Sequence, residues 1–159
     1  MAVILRRMLG IGKLPVDMRA QVDAEGVMFL AEFVPVTYRF SGAVPGKRAA
    51  GEIRGYVGAL ALTSQRVLGT LSNVPKRAGR AIDHRWDAPQ TGTMTAEISP
   101  AGIKLGVDIG LVDPRFRGHL ELKYKAAIPQ DVLSMLPTRF LAFDVPPLYV
   151  LRAVGVPGR

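Results

Sequence analysis

Apolar and polar residues alternate with period two through most of the middle of this chain. Val36, Tyr38 and Phe40 alternate with Thr37, Arg39 and Ser41, and Met94, Ala96 and Ile98 alternate with Thr95, Glu97 and Ser99. Ile103, Leu105, Val107 and Ile109 alternate with Lys104, Gly106 and Asp108, and Leu120, Leu122 and Tyr124 with His119, Glu121, Lys123 and Lys125. Each run predicts a strand with one face on a core and one in water. Half-buried strands of this kind belong to antiparallel sheets, because parallel sheets are covered on both faces and read as continuous apolar runs.

Two further strands frame this region. Gly26–Val34 sets Val27, Phe29, Ala31 and Phe33 on one face. Gly55–Leu71 reads as a hairpin turning at Thr63-Ser64-Gln65-Arg66. In its first arm Tyr56, Leu60 and Leu62 share one face, while Val57, Ala59 and Ala61 make the other face small enough for close packing. Val44-Pro45-Gly46, Val74-Pro75-Lys76, Ser99-Pro100-Ala101-Gly102 and Asp113-Pro114 supply turn chemistry between runs. Strands recurring at this spacing predict a mainly β fold, an antiparallel sandwich or partly open barrel of about seven to eight strands.

The period changes after Lys125. Pro129 suits a first helical position, Asp131 favours the positive end of a helix, and Val132, Leu133, Leu136 and Phe140 follow at helical spacing. The expected organisation is one domain over residues 1–159. Residues 1–21 form an arm or short helix, 22–126 an antiparallel meander, and 127–143 a C-terminal capping helix kinked at Pro137. Residues 144–159 form an apolar tail of undetermined type.

Composition narrows the chemistry. The chain has no cysteine, which removes disulfides and thiolate metal sites and fits a reducing compartment. No run approaches the roughly 18 apolar residues of a membrane span, and Ala2–Leu5 precedes Arg6 and Arg7 in the wrong order for a secretory signal. The cytoplasm is the expected location, with a peripheral place at a membrane if the chain docks there.

The formal net charge of +8 favours an anionic partner, an acidic lipid surface or an acidic protein, although a basic genome bias gives the same surplus. Aromatics are 7% of the chain and most fall on predicted core faces, which leaves little for base stacking, so nucleic acid is a poor candidate. Self-association stays open.

Gly58–Leu68, GALALTSQRVL, resembles the G-x-L-x-L-T-x-x-R-L/V hairpin of bacterial pleckstrin-homology-like and GRAM-like domains. Asp23-Ala24-Glu25-Gly26-Val27 is similar to the acidic-Gly approach to their first strand, and about seven strands followed by a helix is their order. The resemblance spans Val22 to about Phe143 and implies a bent antiparallel sheet capped by a helix, used to bind phosphoinositides, other lipids or proteins. It implies neither catalysis nor a cofactor. Phosphoinositide-binding members carry a basic loop between their first two strands; here the expected connection, Val34-Pro35-Val36, has no basic residue.

The basic residues gather in two other connections, Lys47, Arg48 and Arg54 after the second strand and Lys76, Arg77 and Arg80 after the hairpin. Alternate connections of a meander emerge at one end, so these six residues are the expected anion- or lipid-binding rim. Solvated loop charges without a partner would look the same.

Two other functions are weighed against this non-catalytic docking module. A closed barrel carrying a lipid or other apolar ligand would need a void lined by Phe29, Leu60, Leu105 and Leu122. An enzyme would centre on His84 and Asp87 of Asp83-His84-Arg85-Trp86-Asp87. Strand alternation turns His84 toward Ile82 and Trp86 and away from Asp83, Arg85 and Asp87, so ion pairs around Arg85 and a hydrogen-bonded half-buried histidine explain the set. His119 lies on another polar face, and the two histidines are not expected to share a metal.

Overall fold

The computed structural model describes residues 13–74 and 77–156. Helix α1 (Val16–Glu25) leads into β1 (Val27–Val44), β2 (Lys47–Thr63), β3 (Arg66–Val74) and β4 (Arg77–Arg85). Then come β5 (Met94–Ser99), β6 (Gly102–Asp108), a 3-10 turn at Ile109–Leu111 and β7 (Arg117–Lys125). The chain ends in α2 (Gln130–Met135), β8 (Phe140–Phe143) and α3 (Pro147–Ala153). All eight strands form one antiparallel sheet, ordered β4-β3-β2-β1-β7-β6-β5-β8, that curls into a nearly closed barrel.

Two expectations change. The first two predicted strands are a single strand, β1, which bends at a register shift between Ala31 and Val34 where Phe33 has φ 57°. Pro35 stands opposite Val57 of β2, just before the pairing with β7 begins at Val36, a place at the end of a ladder where a proline is tolerated. No loop therefore exists at Val34-Pro35-Val36, and the first turn of the sheet is Val44–Lys47, with Gly46 at φ 93°.

The single helix expected over 127–143 is also replaced. The residue before a proline is pushed to extended backbone, and Leu136 adopts φ −72°, ψ 136° ahead of Pro137, so α2 stops at Met135. The chain then runs extended and pairs β8 with β5. The apolar tail becomes α3, opened by Pro147 at its first turn. The two short helices serve opposite ends of the barrel: α2 buries Val132 and Leu133 beyond the end of β7, with Leu136 packed on the core. Helix α3 buries Val150 and Val154 beside the β1–β2 turn, where Lys47 Nζ donates to the Val154 carbonyl at 2.7 Å.

The interior is organised around Tyr124. Fully buried on β7, it crosses the barrel and donates its hydroxyl to the Thr70 carbonyl on β3 at 2.7 Å. Gly58 and Gly69 make that crossing possible. A Cβ on Gly58 would lie 1.9 Å from the Thr70 carbonyl oxygen and 3.2 Å from the Tyr124 ring, and one on Gly69 3.4 Å from it.

Thr70 sits at a bulge. Gly69 faces Ile82 but Thr70 faces Arg80, so Ala81 of β4 has no residue opposite. The Thr70 side chain repairs the adjoining break in the β2–β3 ladder by accepting from the Ala59 N–H at 3.1 Å. The unpaired Ala81 carbonyl receives the Tyr149 hydroxyl of α3 at 2.6 Å.

Outside the barrel, α1 lies on the small face of the hairpin. Leu14, Met18 and Val22 pack on Ala59, Ala61 and Leu68 in a second, smaller core. Arg66 locks the helix there. Its guanidinium grips Glu25 at the end of α1 (Nη2–Oε2 2.7 Å, Nε–Oε1 3.0 Å) and Asp83 of β4 (Nη1–Oδ1 3.0 Å). Thr63 also donates to Glu25 at 2.9 Å, and Gly26 accepts from the Ser64 N–H at 3.1 Å. The segments Asp23–Val27 and Gly58–Leu68 thus meet in one largely buried clamp.

Edge strands β4 and β8 are bridged by side chains. Gln90 accepts from the Ala142 N–H of β8 at 3.2 Å while its amide nitrogen donates toward the carbonyls of Ala88, Trp86 and Arg85 at 3.2, 3.5 and 3.5 Å. His84 of β4 stacks on Phe143 of β8 with ring centroids 5.3 Å apart.

Removing either phenol leaves a main-chain carbonyl at the bulge without its donor. Tyr124→Phe and Tyr149→Phe should each cost about 1–3 kcal/mol in denaturant unfolding. Burial raises the hydroxyls of Tyr124, Tyr149 and Tyr38 above the ordinary tyrosine range, and Glu52 adds to the effect at Tyr38. The folded state therefore holds these protons after the unfolded chain would release them near pH 10. Stability should be undiminished by this effect below about pH 10 and fall steadily above it, read as a shallower loss of stability with rising pH in each Phe variant, from its lower starting value.

Candidate anion-binding face

The expected rim residues are strand residues. Lys47, Arg48 and Arg54 lie in β2 and Arg80 in β4; Lys76 and the Arg77 side chain lie outside the described residues. The meander does put the β1–β2 and β3–β4 turns at one end. Their reach differs, because Val57 pairs with Ser72, which sets Val74 level with Gly55. Arg48 stands seven residues farther along β2, roughly 20 Å at 3.3 Å per residue.

Three of the four rim cations whose side chains are described are engaged with the protein's own acids. Lys47 Nζ is 2.8 Å from Glu52 Oε1, Arg54 Nη2 is 3.1 Å from Glu52 Oε2, and Arg80 Nη1 is 2.6 Å from Asp83 Oδ2. Burial acts to raise the Glu52 carboxyl, but hydrogen bonds from Lys47 and from the Tyr38 hydroxyl (2.7 Å) hold it below the usual carboxylate range. Arg48 is exposed. Of the paired cations, Lys47 ties the β1–β2 hairpin to the end of α3, while Arg54 and Arg80 pair along their own strands.

A different cationic surface arises where β1 pairs with β7. On the outer face Arg39 stands opposite Glu121, Thr37 opposite Lys123, and Lys123 opposite Lys104 across β6. Thr37, Arg39, Ala101, Glu121, Lys123 and Lys125 line a depression of ≈ 370 Å³. Around it Arg39, Lys104, Lys123 and Lys125 are exposed, against Glu121 and Glu97, so four cations face two acids. Lys104 leans on Glu121 at 3.8 Å, which leaves Lys123 between two like charges, Lys104 across the strand pair and Lys125 two residues on. Like charges directly opposite each other destabilise a sheet.

The sequence shows these residues as ordinary polar faces of separate strands. Arg39 and Lys123 are 84 positions apart, and only the β1–β7 pairing brings them together.

The histidines occupy opposite sides of the sheet. His84 turns inward as expected, but its buried Nε2 has no hydrogen-bond partner among the described residues, contrary to the expected one; stacking on Phe143 holds the ring. Asp87 faces solvent, paired with Arg85 at 2.9 Å, and that pairing holds its carboxyl below the usual range. The ion pairing expected across strands at Arg85 runs along its own segment; the cross-strand pair is Arg66 with Asp83. His119 is exposed opposite Asp108. Among the described residues no three His, Asp or Glu side chains gather as metal ligands would.

Three of the four residues expected to line a carrier cavity are core residues of the barrel. Leu60, Leu105 and Leu122 are at most 1% exposed, Phe29 packs against the same cluster, and Tyr124 crosses between them.

His84 gives a direct check on its role. Replacing it with Leu removes an unsatisfied buried nitrogen, so denaturant unfolding should show unchanged or slightly raised stability, by up to about 1 kcal/mol. A loss larger than about 2 kcal/mol would show that the His84–Phe143 stack matters more than the orphaned nitrogen costs.

No protein-family model, curated protein or solved structure matches this chain.

Proposed function

We propose that this protein is a non-catalytic docking module that binds an anionic membrane surface through the outer face of β1, β7 and β6. The observation that carries this reading is Lys123, flanked by Lys104 and Lys125 and joined by Arg39 around a shallow depression. A face that works against its own stability through like-charge contacts is relieved when negative charge arrives. The packed interior supports a role at the surface in preference to carriage of an apolar ligand. The outward pairing of Asp87 with Arg85, away from the inward His84, likewise gives an acid–base enzyme little support.

The reading agrees with the pleckstrin-homology-like resemblance, which we retain as a proposal: seven strands precede helix α2 in the implied order, with α1, β8 and α3 as additions. The cationic face lacks the concave loop cage that would sort one head group from another, so acidic lipids should bind alike.

The experiment is co-sedimentation with vesicles of phosphatidylcholine, with and without phosphatidylserine, at low and high salt. Near an anionic surface each cation contributes about 1 kcal/mol. Changing Lys104, Lys123 and Lys125 to Glu should therefore weaken binding by roughly a hundredfold or more. The pair Arg48→Glu, Arg54→Glu should weaken it far less. Equal binding by wild type and the triple variant at low salt would refute the assignment of this face.

A further inference from the structure

The apolar tail is not free to enter a bilayer. Val150 and Val154 are buried in the barrel end and Tyr149 is held by the Ala81 carbonyl. Leu148 is the tail's partly exposed member, and larger apolar exposure among the described residues lies elsewhere, at Val16, Leu111 and Ile53 and at the pair Phe140 (66% exposed) and Met135 (57% exposed). Single exposed apolar residues are ordinary on protein surfaces. Phe140 and Met135 are separated in the chain by only Leu136–Arg139, and strand register sets Phe140 beside the cationic face.

Phe140 begins β8 and pairs with Glu97, Glu97 with Lys104, and Lys104 with Lys123. Directly paired residues share a face, and Leu141 is buried, so Phe140 points outward in the same row as both lysines. With strands about 4.8 Å apart, its ring stands roughly 10 Å from Lys104 and 15 Å from Lys123. Its position is fixed: the Phe140 N–H donates to Thr138 Oγ1 at 3.1 Å, and the Thr138 hydroxyl donates to the Phe140 carbonyl at 3.0 Å. The Arg139 carbonyl accepts from the Ile98 N–H at 2.8 Å, which pins the segment to β5.

We propose that Phe140 and Met135 are the apolar anchors of membrane docking, entering the interfacial layer of an anionic bilayer while Lys104, Lys123 and Lys125 meet the head groups. The inference rests on the docking reading above and adds to it a pose and a salt-resistant component. Charge complementarity selects the occupant: the apolar corner opens beside net positive charge, as required at an acidic lipid surface.

The test uses the full chain and phosphatidylserine–phosphatidylcholine vesicles. Phe140→Trp places a fluorescent reporter at an exposed position, with wild type, which carries Trp86 alone, as the reference. On vesicles the emission of this variant should shift to the blue and be quenched by lipids brominated in the acyl chain, beyond any quenching of wild type. Phe140→Ser with Met135→Ser should weaken binding roughly tenfold to a hundredfold and remove the fraction that survives high salt. An unquenched indole in the Phe140→Trp variant, together with wild-type binding by the double Ser variant, would overturn the anchor and leave electrostatic docking standing. Absence of vesicle binding by wild type would overturn both proposals. Displacement from vesicles by poly-glutamate, with the introduced indole unquenched, would also overturn both and assign the face to an acidic protein.

Discussion

The β3–β4 bulge is the feature on which the rest of this barrel depends. By leaving Ala81 without a residue opposite, it turns two carbonyls out of the ladder, and two tyrosines from distant parts of the chain take them up. Tyr124 reaches the Thr70 carbonyl through the interior and so sets the distance between β7 and β3. Tyr149 reaches the Ala81 carbonyl from α3 and so fixes the lid. Bulges increase local twist, and the extra twist here carries β4 around toward β8. Two glycines complete the arrangement, since any side chain at Gly58 would collide with the carbonyl that Tyr124 needs.

The interior of the barrel is occupied by its own side chains. Small eight-stranded barrels either fill with side chains or hold one small ligand, and Tyr124, Tyr38, Leu60, Leu105 and Leu122 fill this one. Polar groups that look functional in sequence divide accordingly. The Glu25–Arg66–Asp83 set is a fastening between helix and sheet, and the Lys47–Glu52–Tyr38 set fastens hairpin to lid. The β1–β7–β6 face gathers cations with less internal compensation around a shallow depression.

Most of the fold was legible in the chain because period-two alternation reports burial strand by strand. Tyr38, Phe40, Leu105, Leu120, Leu122 and Tyr124 are all at most 1% exposed, as their alternation requires. The small face of Ala59 and Ala61, read as suited to close packing, receives α1. The failures have local causes. Pro35 signals a turn, yet a proline is tolerated in a strand at the end of one of its ladders, here just before pairing with β7 begins. The spacing Leu133–Leu136–Phe140 fits a helix until the restriction before Pro137 ends it and a free strand edge offers Phe140–Phe143 a partner. The candidate site was less legible, because strand order is a long-range property: the Arg66 clamp and the Arg39–Lys123 neighbourhood join residues that no window of sequence sees together.

The side chains along the β4–β8 gap have a consequence beyond holding the barrel. A sheet that stops short of closing presents two rows of unpaired main-chain groups, a template for a second chain to add a strand. Here Gln90 takes up the Ala142 N–H, Thr138 the Phe140 N–H, and Tyr149 the Ala81 carbonyl. Each stops a β-ladder from growing past the edge of the molecule. Three polar side chains thus do at this gap part of what full closure does for a continuous barrel: they occupy main-chain groups that a second chain would otherwise pair with.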